Sequence, residues 1–279
     1  MLSLCETGQD CHCNCKSGGD RILPTRLVLI DDEDSSIRLY ETFKEQQGSY
    51  AALSHFWGPP EKHPLRTLQG NIESMKSEIP WDKISVVFGG SIWLCRQLGI
   101  KYIWIDSLCI VQDDATEWDI EAAKMAAERW QPQTSSSAPH LIVREHYNRL
   151  REDDLESSII EAHKFLPERH HLLPTRAWAM QESILSTRIV RFTLSNITWE
   201  CDGETVSEDG FKAVDHPRTF HPSRPFFDAL ENPTNEGERI ELWMGIVAEF
   251  TCRSITFPTD RLPAMSGMAS RYQSIIGGR

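Results

Sequence analysis

Residues 101–114, KYIWIDSLCIVQDD, decide how the chain is read: an apolar run of strand character carries Asp106 in its middle and opens onto Gln112, Asp113 and Asp114. Tyr102 to Ile105 are aromatic or β-branched, the side chains that fit a pleated, buried surface. An unbroken apolar run predicts a strand covered on both faces, as in a parallel sheet. Upstream, Ile84, Val87, Phe88, Ile92, Cys95 and Leu98 recur at helical spacing. Asp82 and Gly99 stand where an N-cap and a C-cap belong. Before them, YAALSHFWG (50–58) is a short apolar run halted by PPEKHP. Strand, helix and strand make a βαβ crossover, and the fold class expected is α/β with a mostly parallel sheet flanked by helices.

Around this unit, residues 1–48 read as an irregular lead-in with one strand candidate, RLVLI (26–30). Residues 49–201 form the expected domain, interrupted at about 131–148 by a linker-like insertion that begins QPQTSSSAPH. Helices are expected from about Thr116 to Arg129, through Leu155, Ile159, Ala162 and Leu166, and within LLPTRAWAMQESILS (172–186), and RIVRFT reads as a strand after the last. Residues 202–279 form a helical extension in which Ile240, Trp243, Met244, Val247 and Phe250 repeat at three and four residues.

Forty-one acids against twenty-nine bases leave a formal charge of −12, with no segregated basic patch, so nucleic acid is not an expected partner. The start, MLSLCETGQD, has neither a basic nor an apolar signal region, and no stretch is long and apolar enough for a membrane span, so a cytoplasmic protein is expected. Eight cysteines fit reduced thiols better than a disulfide framework. CHCNC (11–15), with Cys5, lacks both the paired C-x-x-C spacing and a distant histidine pair, and no metal is expected.

Ligands of open parallel sheets bind at the carboxyl ends of strands, where loops and helix N-termini converge. Ser54, His55 and Trp57 follow the first strand, and Asp106, Ser107, Cys109 and Gln112 follow the second. Asp106 either leaves its strand as a crevice residue or caps a turn through backbone N–H groups. His55 is either a base or ring contact for a ligand or a packed histidine. Pairing it with Cys109 as a nucleophile finds no local support. In RAWAMQESIL, Trp178 and Glu182 stand one helical turn apart on one side. There the carboxylate either stabilises a developing cation beside an indole or is solvated on an amphipathic helix.

Taken together, YAALSHFWG, LGIKYIWIDSLCIVQDD with EWDIEAAKM, and TRAWAMQESILSTRIVRFT with WEC resemble, in order, the three blocks of the fungal heterokaryon incompatibility (HET) domain. LPTRLVLID and DRLPAMSGMA resemble its usual flanks. The resemblance implies an effector of fungal non-self recognition that triggers programmed cell death, partnered by other incompatibility proteins or by itself. It departs from the family at AAERWQPQTSSSAPHLIVREHYN, where a core strand is expected to be missing or replaced, and it implies a shortened C-terminal end. A regulatory or inactive version is therefore also implied.

The HET domain is in turn similar to the TIR domain, which implies a TIR/flavodoxin-like sheet. By that likeness Ser54 falls on the motif ending the first strand, and Trp178 with Glu182 on the W-x-x-x-E helix. Glu182 would then be the catalytic carboxylate of NAD cleavage, with no cofactor required and NAD as substrate. Ser54, His55, Trp57, Asp106, Ser107, Gln112, Arg176 and Trp178 would line the pocket, with Trp57 or Trp178 stacking on a base and Arg176 or Arg188 facing the pyrophosphate.

Overall fold

The computed structural model describes residues 21–31, 36–58, 61, 63–128, 140–144, 175–186, 188–192, 197–201, 205–208 and 236–277. The cysteine-rich segment at 11–15 and the helix expected through Leu155 to Leu166 lie outside them.

The described strands are β1 (Arg21–Ile22), β2 (Arg26–Ile30), β3 (Ile37–Glu41), β4 (Gln47–Gly48), β5 (Ala51–Ser54), β6 (Tyr102–Ile105), β7 (His140–Arg144), β8 (Arg188–Phe192), β9 (Ile197–Cys201) and β10 (Thr205–Ser207). Eight of them form one sheet in the order β10-β9-β8-β7-β5-β6-β2-β3, while β1 and β4 pair apart. The helices are α1 (Ile72–Ser77), α2 (Val86–Gln97), α3 (Asp106–Cys109), α4 (Ala115–Glu128), α5 (Ala177–Leu185), α6 (Glu236–Thr251) and α7 (Pro263–Gly277).

The sheet is mixed, which corrects the mostly parallel expectation. Only β6, β5, β7 and β8 run parallel; β2 and β3 on one side, and β9 and β10 on the other, are antiparallel. Chain length dictates this. Residues 31–36, 193–196 and 202–204 are too few for a parallel crossover, which needs roughly a dozen residues, so each connection folds back as a hairpin. The edge strand β3 alternates buried Ile37 and Leu39 with partly exposed Arg38 and Tyr40, as a strand solvated on one face does. It belongs to the stretch expected to be irregular.

The central strands are buried along most of their length: all of Ala51 to Ser54, and Ile103 to Ile105. Helix α2 starts at Ser85, whose Oγ accepts from Phe88 N, three residues after the N-cap expected at Asp82. It ends as expected: Gly99, at φ +68°, takes the left-handed conformation that a side chain makes costly. Helix α2 buries Phe88, Ile92 and Cys95 in the main core with Leu27, Ile30, Ile103 and Ile105. A second core joins Ala177, Met180, Ile184 and Leu185 of α5 to Ile246 and Phe250 of α6 and to Ala264 and Met268 of α7.

Strand β7 lies between β5 and β8, parallel to both. A strand is thus present where the core strand was expected to be missing or replaced: HLIVR, from inside the linker-like insertion.

Candidate functional site

The strand expected at KYIWID stops after Ile105, and the chain turns at once into α3, so Asp106 is the first residue beyond the carboxyl end of β6. Leu53 is level with Ile105 in the parallel pair β5–β6, which brings Ser54 and His55 to the same edge. The two tips make direct contact. Trp57 Nε1 donates to Asp106 Oδ2 at 2.8 Å, Ser107 N donates to Asp106 Oδ1 at 2.7 Å, and His55 Nδ1 lies 3.6 Å from Oδ1. Asp106 accepts a backbone N–H of its own turn, the capping role the sequence allowed, and its carboxylate, with 31% of its side-chain surface exposed, stands at the tip cluster.

Aromatic rings build the wall around it. His55 is buried, parallel to Trp57 with centroids 6.3 Å apart, and edge-on to Phe88 at 4.9 Å. His63 meets Trp57 edge-on at 5.3 Å. No other sequence signal had singled out His63, which sits in the proline-flanked loop after the first strand.

Four carbonyls of a four-residue helical turn would ordinarily need outside donors. All four have them. Asp106 O accepts from Ile110 N and from Gln112 Nε2 at 3.0 Å. Ser107 O accepts from Thr67 N, and Leu108 O from Thr67 Oγ1. Cys109 O accepts from Arg26 Nε at 3.1 Å. Gln112, expected as a pocket residue, uses its amide N–H groups on the carbonyls of Asp106 and Ile110. Ser54 Oγ and Ser107 Oγ are buried without a hydrogen-bond partner among the described residues.

Cys109 is fully enclosed, and burial pushes its thiol up to about 12, so it is not a thiolate nucleophile near neutral pH. Among the described residues no group of three or more His, Cys, Asp or Glu could hold a metal ion.

Helix α5 reaches this edge by its first turn. Arg176, at the N-cap, donates from Nη1 to His55 O at 2.9 Å, and Trp178 meets Trp118 of α4 edge-on with centroids 6.4 Å apart. Trp178 is half-buried and packs on the second core, so much of its indole surface is taken up by α5–α7. Glu182 stands one turn further along the helix and is also partly buried. Its neighbour Ser183 accepts from Arg191 Nη2 at 2.8 Å, and Arg191 is level with Ser54 across β7.

Arg188 does not belong to this edge. It opens β8, level with Ala51 at the start of β5, three residues or roughly 10 Å short of the strand tips. The arginine nearer the tips is Arg191, buried and bonded to both oxygens of Glu200 at 2.5 and 3.2 Å. A strand's twofold alternation puts residues three apart on opposite faces, the signal that separates the two arginines.

Among the described residues no helix is long and apolar enough to cross a membrane. No curated protein and no solved structure matches the chain. A family model described as Heterokaryon incompatibility protein (HET) does match, over residues 50–127, the stretch that contains β5, β6, the Asp106 turn and α4. That match supports a heterokaryon incompatibility domain at residues 50–127.

Proposed function

We propose that this protein is an effector of heterokaryon incompatibility, acting in the cytoplasm, and that a nucleotide-binding hollow at the carboxyl ends of β5 and β6 controls its ability to trigger cell death. The observation that carries this reading is the contact of His55, Trp57 and Asp106 at two adjacent parallel strand tips. The four parallel strands stand in the order second, first, third, fourth, the order of a flavodoxin-type doubly wound sheet. In such a sheet the strand order reverses between the first and third strands, β5 and β7, and ligands collect at that reversal, beside the β5 tip that leads into His55 and Trp57. A hydrogen-bonded indole supplies a face for a base, and Arg176 supplies a cation for phosphate. Other incompatibility proteins, or a second copy of the chain, would read the bound state.

A second reading makes the same hollow an NAD glycohydrolase. Its support is the tie between the start of α5 and the strand tips, through Arg176 on His55 O and Trp178 on Trp118, which delivers the helix that carries Glu182. The reaction breaks the bond between nicotinamide and ribose. Water adds to the ribosyl carbon, nicotinamide departs with the bonding electrons, and one proton is released. Glu182 would stabilise the oxocarbenium-like centre.

Expression in a fungal host together with a nicotinamide-release assay tests both. Cell death lost in Asp106→Asn and kept in Glu182→Gln, with no nicotinamide released, supports the binding effector. Nicotinamide release abolished by Glu182→Gln in a folded protein supports the enzyme. Neither death nor turnover rejects both and leaves a regulatory or inactive domain.

A further inference from the structure

The turn that presents Asp106 is anchored from outside the family-matched segment. Arg26, on β2, is 5% exposed although it is an arginine. Its Nε donates to Cys109 O, the last carbonyl of the turn, and its Nη2 pairs with Glu117. Its Nη1 reaches Glu41 at 3.5 Å. Glu117 in turn accepts from Val111 N at 2.8 Å, and Glu117 N is held by Asp114 Oδ1 at 3.0 Å. One guanidinium thus ties the end of the turn, the loop after it and the start of α4 to the N-terminal hairpin. Thr25 Oγ1 extends the same tie to Glu121 of α4 at 2.6 Å.

The other donors to the turn, Thr67 and Gln112, are neutral and lie inside residues 50–127. Arg26 is the charged anchor, and its planar fork holds a carbonyl and a carboxylate at fixed angles, a geometry that a lysine ammonium on a flexible stem does not impose.

We propose that Arg26 is a positioning residue for the Asp106 site: through Cys109 O and Glu117 it sets where the Asp106 carboxylate meets Trp57, so the working site extends N-terminally beyond residue 50 into β2. This deepens the nucleotide-hollow reading, on which its functional consequence rests, but the positioning itself can be observed without any ligand.

The test follows the Trp57 indole N–H in proton–nitrogen correlation spectra of the full chain, with Trp57→Phe assigning the resonance. The hydrogen bond to Asp106 places that signal apart from indoles that lack such a bond. Arg26→Lys and the double variant Arg26→Met with Glu117→Gln are compared with wild type. The double variant removes both charges and keeps an acceptor for Val111 N, so it avoids a stranded carboxylate. A shifted or broadened Trp57 resonance in a folded variant, with Trp199 and Trp243, remote from the turn, unmoved, supports the proposal. A Trp57 resonance identical to wild type in both variants overturns it. So does a double variant that cannot fold, because Arg26 would then serve the core and not the turn.

NAD titrated into the same samples separates the two levels. A wild-type Trp57 shift with NAD that weakens roughly tenfold in the folded Arg26 variants, the scale of one charged hydrogen bond, supports both readings. No NAD response in wild type alongside a displaced Trp57 signal in the Arg26 variants rejects the nucleotide reading and supports the positioning role.

Discussion

The Asp106 turn and helix α5 meet at one edge of the sheet, yet different forces hold them there. The turn is short and polar, and each of its four carbonyls is taken by a donor from another segment. Helix α5 is held mainly by oil. Ala177, Met180, Ile184 and Leu185 sit in an apolar core with Phe250 and Met268, and polar ties join it there and to the sheet: Gln181 Oε1 accepts from Gly267 N, backbone bonds join Thr175 and Ala177 to Ser254, Arg176 donates to His55 O, and Ser183 accepts from Arg191. Hydrogen bonds fix both distance and direction, whereas the hydrophobic effect that drives apolar packing is non-directional. In the proposed hollow, the half around Asp106 would be held by hydrogen bonds, and the half around Trp178 and Glu182 by packing on α6 and α7.

The largest expected effect attacks the packed half. Phe250→Ala removes a ring that is 3% exposed and should cost about 4 kcal/mol, read as a lowered midpoint in denaturant. The Trp57 environment should be little changed, and a large change there would mean the two halves are one unit. Arg26→Met attacks the bonded half. It leaves Cys109 O without a donor and Glu117 without its cation, for about 3 kcal/mol, the low end of a broken buried pair because Glu117 keeps 22% exposure. The combined variant should lose the sum within about 0.5 kcal/mol if the halves are independent.

Asp106→Asn is smaller. An amide has one acceptor oxygen where the carboxylate offers two, so either Trp57 Nε1 or Ser107 N loses its partner, for about 1–2 kcal/mol, with the tryptophan emission moved. The smallest lies at the far edge of the sheet. A hydrogen bond from Lys76 holds the Glu41 carboxyl below its ordinary value of 4.5, partly offset by desolvation. Because the folded value is the depressed one, this stabilisation is present at neutral pH and above the unfolded value, and is lost as pH falls through the folded one. Glu41 keeps 46% exposure, so Lys76→Ala should cost only about 0.3 kcal/mol at pH 7, and the difference in melting temperature from wild type should vanish in acid.

Much of the centre of the fold was legible. Apolar runs marked β2, β5, β6 and β8, helical spacing marked α2, α4 and α6, and polar residues marked the ends of β5 and β6. What escaped has physical reasons. β7 has only three apolar residues in HLIVR, beside serines and charges, and its place in the sheet comes from pairing with β5 and β8, which are distant in sequence. β3 needed its alternation noticed across only Ile37 to Glu41. Helix α7 begins at Pro263 and carries Ser266 and Gly267 early, so its intrinsic preference is weak and its packing on α4 and α5 defines it. In the site, spacing revealed which side chains reach the strand tips. It could not reveal that Gln112 is engaged with backbone carbonyls, or that Arg26, eighty residues upstream of Asp106 (106 − 26 = 80), closes the same turn.

The most direct measurement is a crystal of the protein soaked with NAD. The account predicts electron density over the tips of β5 and β6, with the base beside Trp57 and the phosphates toward Arg176. Density on another face of the molecule, or a strand-tip hollow left unchanged at saturating NAD, would contradict it.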